Sequence, residues 1–317
     1  MRNSRMPRLW TLCGLLLALG TRAQTPVEGW ASERLYPSAP GAGWFVMDTL
    51  DMHGELGGVL ALTGRYAQAP VRVSEGGQSL TVVTDAAYTQ VAGAITWRAW
   101  RFSVGFDFPV VLAGRSGTVG GDAYTAPDVN LGTRPDTISD VRIGVDTRLL
   151  GEADGAFRLG LSGQLWIHSG DTTDFVTDGT YRGMIRVLVA GDVRWLTYAG
   201  QLGVHIRPRD DGGIPGAPRG SELLFGVAAG GTWTVSQAYR AVLGPEVYGA
   251  TAFNGFFQSQ TTTAEALLSG RIEGTGDRGP QLRFKLGGGL GLNSSFGSPA
   301  WRVVFSIEMF GQAGPRP

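Results

Sequence analysis

Cysteine is nearly absent from this 317-residue chain: the single one, Cys13, lies in a segment expected to be removed. That excludes disulfides, thiolate metal sites and a cysteine nucleophile from the mature protein. Lysine is as scarce, Lys285 standing alone among 27 basic residues. The 27 acidic residues bring the formal charge to +0, so no nucleic-acid footprint is present. Charged residues make up 17% of the chain, against about 25% in ordinary globular proteins. Past residue 56 no apolar run reaches the length of a membrane-spanning helix. Glycine, by contrast, occurs 50 times. It has no three-residue period, which excludes collagen, and with 43% hydrophobic residues the chain is not a disordered one.

The first 23 residues have the pattern of an export signal. Arg2, Arg5 and Arg8 precede the apolar stretch Leu9 to Gly20, and Thr21 and Ala23 place small residues before a cleavage site at Gln24. Twelve apolar residues are too few for a spanning helix, which needs about 20. Cys13 follows Thr-Leu early in the apolar stretch, so no lipoprotein attachment is expected. Removing four arginines from the 27 bases leaves 23 against 27 acids, a mature net charge near −4.

The mature chain is built of segments with a period of two, the period of strands. Phe102, Val104, Phe106, Phe108, Val110 and Leu112 alternate with Ser103, Gly105, Asp107 and Pro109. Leu282, Phe284, Leu286, Leu290 and Leu292 alternate with Gln281, Arg283, Lys285 and glycines. Twelve such segments are expected, at 56–66, 81–97, 101–113, 139–150, 157–169, 181–190, 195–207, 221–234, 240–252, 263–273, 281–292 and 300–310. Soluble sandwiches use strands of about 5 or 6 residues; about 10 are needed to cross a bilayer at a tilt. Connections after the even-numbered segments are short. Those after the odd-numbered ones are mostly long and rich in Gly, Asp, Thr and Pro, the longest running from Gly114 to Ile138. The first, Ala67 to Leu80, reads instead as a strand extension turning at Glu75-Gly76-Gly77. Short turns at one end and long loops at the other are the pattern of an outer-membrane β-barrel, with turns in the periplasm and loops outside. The expected fold is therefore an all-β transmembrane antiparallel barrel of about 12 strands, residues 56–311, in a Gram-negative outer membrane.

Aromatic placement agrees. Trp97, Trp100, Trp195 and Trp233 fall at the short-turn ends, and Tyr66, Tyr181, Phe253 and Trp301 at the long-loop ends, as two interface girdles require. Assigning faces makes the lumen charged. Asp107, Asp146, Glu222, Glu246, Glu265, Glu273 and Glu308 point inward. So do Arg142, Arg148, Arg158, Arg182, Arg186, Arg207, Arg271, Arg283, Lys285 and Arg302. Seven acids and ten bases fit either an interior filled by ion pairs and loops or a narrow wet channel. Barrels of about 8 strands are filled by side chains and those of about 16 hold an aqueous pore, so 12 decides neither way. Residues 24–55 are less regular, with Pro26, Pro37 and Pro40 and the apolar stretch Trp44 to Leu50. They read as a periplasmic lead-in that either plugs or braces the lumen or serves as a flexible tether.

No enzymatic activity and no cofactor or metal is expected. His53 precedes the barrel, and His168 and His205 sit singly on inward faces near the outer rim. No serine-hydrolase elbow, zinc-protease helix or phosphate loop occurs. Asp171, Asp174 and Asp178 with Gly179 crowd one external loop, but their spacing is not that of a calcium loop.

The stretches SERLYPSAPGAGWFVMDTLDMHGELGGVLALTGRYA and RFSVGFDFPVVLAGRSGTVGG resemble the barrel of OmpA-family proteins of the myxobacterial type. SDVRIGVDTRLLG, TDGTYRGMIRVLVAGDV, YAGQLGVHIRP, GSELLFGVAAG and GPEVYGATAF are similar to the same barrels, so the likeness spans residues 32–311. It implies a barrel without a catalytic motif. Many such proteins continue into calcium-binding repeats and a peptidoglycan-binding domain, whereas this chain has a short tail at 312–317, so peptidoglycan anchoring is not carried over. The region from ISDVRIGVDTRLL to HSGDTTDFVTDGT looks like a block of outer-membrane transporters for aromatic compounds, which implies transport as an alternative role. The last strand ends on Phe310, as barrel-assembly signals do, though the glycine usual in that signal is replaced near Val304. Expected partners are outer-membrane lipid and lipopolysaccharide, with the barrel-assembly machinery during insertion. A structural or surface role with a narrow or closed lumen is expected first, and a passive porin-like channel second.

Overall fold

The computed structural model describes residues 25–27, 29–54, 56–209, 220–274, 281–294 and 297–312. The expected export signal, the turn at 275–280 and most of the tail lie outside these residues. Twelve long strands follow one another around a closed antiparallel sheet. They are β1 Gly57–Glu75, β2 Gln78–Trp97, β3 Trp100–Gly114, β4 Val141–Leu150, β5 Arg158–Ile167 and β6 Arg182–Val193. Then come β7 Leu196–Ile206, β8 Glu222–Ser236, β9 Tyr239–Ala252, β10 Thr262–Gly274, β11 Gln281–Gly291 and β12 Trp301–Gln312. Each pairs with its neighbours in sequence, and β12 returns to β1, from Trp301 opposite Gln68 to Gln312 opposite Gly57. Closure removes the unpaired edges that would otherwise expose a row of backbone donors and acceptors.

The barrel is asymmetric end to end. At one end Arg98-Ala99 and Arg194-Trp195 are two-residue turns, with Arg98 and Arg194 in the left-handed region at φ 54° and 56°. At the other, β1 and β2 run past the rim and join at Gly76-Gly77. Both glycines have positive φ, 58° and 82°, as a tight hairpin turn requires. The extension bends where register slips between Gln68 and Val71, around Ala69 (φ 49°) and Pro70, which has no backbone donor. Beyond the bend Val71, Val73, Val82 and Val83 join Leu112, Val119, Tyr124 and Val129 in a buried apolar cap over the long-loop mouth.

Outward side chains are apolar and exposed along the strands: Leu62, Val91, Phe102, Ile185, Leu268 and Leu286 are between 45% and 64% exposed, a belt no water-facing protein presents on this scale. No helix among the described residues is long and apolar enough to cross a membrane, which says nothing of a β-barrel. In β3 the alternation breaks at a bulge. Phe102, Val104 and Phe106 face outward as expected, but Leu112 is fully buried. Ala87 pairs with Val111 and Tyr88 with Pro109, so Val110 is an extra, unpaired residue, and the bulge turns everything after it to the opposite face.

Candidate functional site

Residues 24–55 were read as a periplasmic lead-in that either plugs or braces the lumen or serves as a flexible tether. Residues 29–54 run through the lumen, and Trp30, Leu35, Trp44, Phe45, Met47 and Leu50 are buried there. The segment enters at the long-loop end, where Thr25 and Pro26 pair in parallel with Asp122 and Ala123 of the loop after β3. It leaves at the short-turn end, where His53 Nε2 lies 3.4 Å from Asp154 in the turn after β4. Midway it folds back on itself. Ser38 N–H donates to the carbonyl of Phe45 at 2.8 Å, and the turn passes through Gly41, whose φ of 87° suits glycine.

A segment without a helix or ladder of its own must satisfy its backbone elsewhere, and the inward charges of the wall do this. Glu246 accepts from the N–H groups of Phe45 at 3.0 Å and Val46 at 2.9 Å. Arg283 donates to the carbonyl of Gly41 at 2.9 Å, Arg271 to Gly43 at 3.2 Å and Lys285 to Ala42 at 3.3 Å. Arg148 donates to Leu50 at 2.7 Å and Met52 at 3.1 Å, and Arg142 to the carbonyl of Pro37. Charges on the segment pair with the wall as well. Arg34 meets Glu222 at 2.7 Å, Glu33 meets Arg302 at 3.0 Å and Arg65 at 3.1 Å, and Asp48 meets Arg101 at 2.5 Å.

Wall and segment are also shaped to each other. Wall glycines stand where segment side chains press closest. A Cβ on Gly226 would lie 2.6 Å from Met47, on Gly230 2.7 Å from Trp44, and on Gly287 2.9 Å from Phe45. Ala190, Ala199 and Ala228 line the same cluster, with Val242, Tyr248 and Leu267. Part of the chain's high glycine content is therefore room for its own N-terminal segment.

All seventeen inward charges named from the sequence lie on the lumen side, and all but the half-buried Arg148 are buried. Sequence reasoning omitted Arg65 and Arg101, both buried, which reach Asp107 at 2.7 Å and Asp48. The alternation contained them, since Arg65 is out of phase with Leu60 and Leu62, and Arg101 with Phe102. Of the aromatic set, Trp97, Trp100, Trp195, Trp233, Tyr181, Phe253 and Trp301 are exposed, while Tyr66 is half-buried against Trp301 with ring centroids 5.0 Å apart.

The histidines are not brought together. His168 is exposed in a loop and reaches Thr177 Oγ1 at 3.1 Å. His205 is buried beside Trp166, Tyr36 and Glu222. The three loop aspartates are occupied separately. Asp171 caps a short 3-10 turn through the N–H of Thr173, Asp174 forks onto Arg134 at 2.7 Å, and Asp178 is buried against Arg207 at 2.5 Å. Burial alone would raise the Asp178 carboxyl, but Arg207 and then Arg182 outweigh it and hold it far below the usual carboxylate range. The same carboxylate accepts the N–H of Ala31 at 3.0 Å, so it fastens the entering segment to the rim. No group of residues able to hold a metal occurs among the described residues.

Toward the short-turn end the lumen widens into a vestibule of ≈ 440 Å³, lined by Asp51, His53, Arg101, Arg240, Glu273 and Arg283. Higher up, a void of ≈ 20 Å³ lies beside Tyr36 and Arg186, and one of ≈ 40 Å³ beside Glu33 and Arg142. Spaces of that size hold about one or two waters. Residues 29–54 and the inward side chains fill the lumen between these spaces.

No protein-family profile and no curated protein matches the sequence. The fold has counterparts among solved structures. An outer-membrane channel from Pseudomonas putida F1 is similar at a TM-score of 0.50 and 10% identity, over 81% of this chain and 96% of that one. The translocator domain of the autotransporter NalP from Neisseria meningitidis is similar at 0.46 and 10%, over 84% and 91%. The NanC porin is similar at 0.46 and 9%, over 80% and 100%. Closed twelve-strand topology, an apolar outer belt and the likeness to the Pseudomonas barrel define the class: this is a β-barrel of the outer-membrane type.

Proposed function

We propose that the protein is an outer-membrane barrel closed at rest by its own N-terminal segment, and that it passes small solutes when that segment is withdrawn. The observation that carries this reading is the partnering of the lumen. A purely structural interior could pair its inward charges with one another. Here Arg142, Arg148, Arg271 and Glu246 are satisfied in part or wholly by peptide groups of residues 37–52. Water or a passing solute can replace a peptide group, and the wall beneath is polar throughout. The kinship with OmpA-family barrels is a narrower proposal, resting on the sequence stretches alone. The apolar belt supports lipid and lipopolysaccharide as its surroundings, and the barrel-assembly machinery as the agent of insertion. A role without enzymatic activity is part of the same proposal.

A reversible lock tests the reading. A Cβ at Gly41 would lie 3.9 Å from the Cβ of Val59 on β1, within the span of a disulfide of about 3.5–4.5 Å. The Gly41→Cys/Val59→Cys pair in the mature chain should be silent in a planar bilayer when oxidised. On reduction it should show discrete openings, as should a chain lacking residues 29–53. Migration of unboiled and boiled samples shows that each variant is folded. Silence of the folded, reduced and segment-deleted forms alike would leave a closed structural barrel.

A further inference from the structure

We infer that the passage behind the segment selects anions, an inference that rests on the gated reading above. It comes from where the bases stand on the wall. In the register of β4, β5 and β6, Arg142 and Arg182 lie level with Trp166 between them. Asp146 and Arg186 lie level with Ser162, and Arg148 lies level with Gly160 and, beyond it, Leu188. One side of the lumen thus carries bases in steps from the long-loop end toward the short-turn end.

The two ends of this strip are neutralised. Arg182 at the rim meets Asp140 at 2.8 Å, and Arg158 at the foot meets Asp192 at 2.6 Å. Between them Arg142, Arg148 and Arg186 have no carboxylate within 4.0 Å among the described residues. Asp146, the acid on the strip, lies 3.7 Å from Arg101 of the adjoining strand. The oxygens these three do hold are uncharged. They are the carbonyl of Pro37 for Arg142, those of Leu50 and Met52 for Arg148, and the side chains of Gln201 and Ser162, both at 2.9 Å, for Arg186. A guanidinium holds an anion more strongly than a neutral oxygen, because the opposite charge adds its Coulomb attraction to the hydrogen bond. An anion on this path therefore replaces weaker partners with stronger ones.

The segment also carries away negative charge as it leaves. It holds Glu33, Asp48 and Asp51 against Arg34. The wall it uncovers has the ten bases named from the sequence, together with Arg65 and Arg101, against the seven named acids and Asp140, Asp178 and Asp192, which pair with Arg182, Arg207 and Arg158. A narrow polar path between low-dielectric walls focuses that excess and concentrates the opposite ion.

The test is the reversal potential of the opened barrel under a steep KCl gradient. Two opened forms are used: the chain lacking residues 29–53, and the full chain with Gly287→Val, which crowds Phe45 and keeps the test available should the deletion fail to fold. The potential should take the sign of chloride, with chloride several-fold more permeant than potassium. Arg142→Gln, Arg148→Gln and Arg186→Gln together should bring the ratio close to one. A potassium-preferring conductance, or a chloride preference the triple substitution leaves unchanged, would overturn the inference while leaving the gate standing. Silence of both opened, folded forms removes the gate itself and the inference with it.

Discussion

Gly287 shows how single positions fit the lumen to its contents. It faces inward on β11 because Phe45 occupies the space a side chain would take, with the missing Cβ 2.9 Å from the ring. Gly287→Val should cost about 1–3 kcal/mol through overpacking. Because the segment has no ladder of its own, the strain should be released by displacing it. More frequent channel openings and a lower thermal midpoint are expected. Gly183→Val is the control, since a Cβ there meets nothing within 4 Å. Equal behaviour of the two variants would mean that Phe45 does not hold the segment in place. At this scale the sequence was legible in direction but not in partnership. Period-two alternation placed the inward charges on the lumen side. It could not show that Arg148 ends on the carbonyls of Leu50 and Met52, because such a partner is a peptide group that any residue supplies.

The lumen segment is the element that period reading could not assign, because residues 29–54 have neither a helical nor a strand period and take their shape from the wall. Its proline and glycine content, with an apolar patch between, fits a tether as well as a plug until the barrel around it is known. The entry to the lumen should respond to acid through Asp178. That carboxylate is held far below its ordinary value by Arg207 and Arg182, and it accepts from Ala31. A depressed folded value stabilises fully above the unfolded value of about 3.9 and progressively less as pH falls below it. The N-terminal end of the segment should therefore stay protected from protease between pH 7 and 5 and lose protection progressively as pH falls below about 4. Asp178→Asn should expose it already at neutral pH, at a cost of at most about 3–5 kcal/mol, since Arg207 then keeps only Glu222, 3.7 Å away, as a counter-ion. Protection unchanged by Asp178→Asn would place the anchor elsewhere, with the apolar pair Trp30 and Phe175 the nearest candidate.

Whole-molecule architecture was the most legible part, because twelve long alternating segments with short and long connections in turn leave little besides a closed barrel. What escaped was where the rule breaks locally: the bulge at Val110 that sends Leu112 inward, and the bend at Pro70 that lets the first hairpin cap the mouth. The same alternation states what surrounds the molecule, and β11 is the place to test it. Leu282, Phe284 and Leu286 face out at 43%, 49% and 64% exposure, while Arg283 and Lys285 between them are buried. If the outer belt meets lipid, Leu286→Arg should destabilise the folded barrel by about 2–4 kcal/mol, the cost of a cation near the bilayer midplane. If it met water, the same change would be neutral, because nothing in the interior touches that face. Urea titration in lipid vesicles reads the difference directly. Lys285→Arg one residue away, which keeps its charge inside the lumen, should leave the midpoint in place. A neutral Leu286→Arg would leave the apolar belt without the lipid that alone explains it.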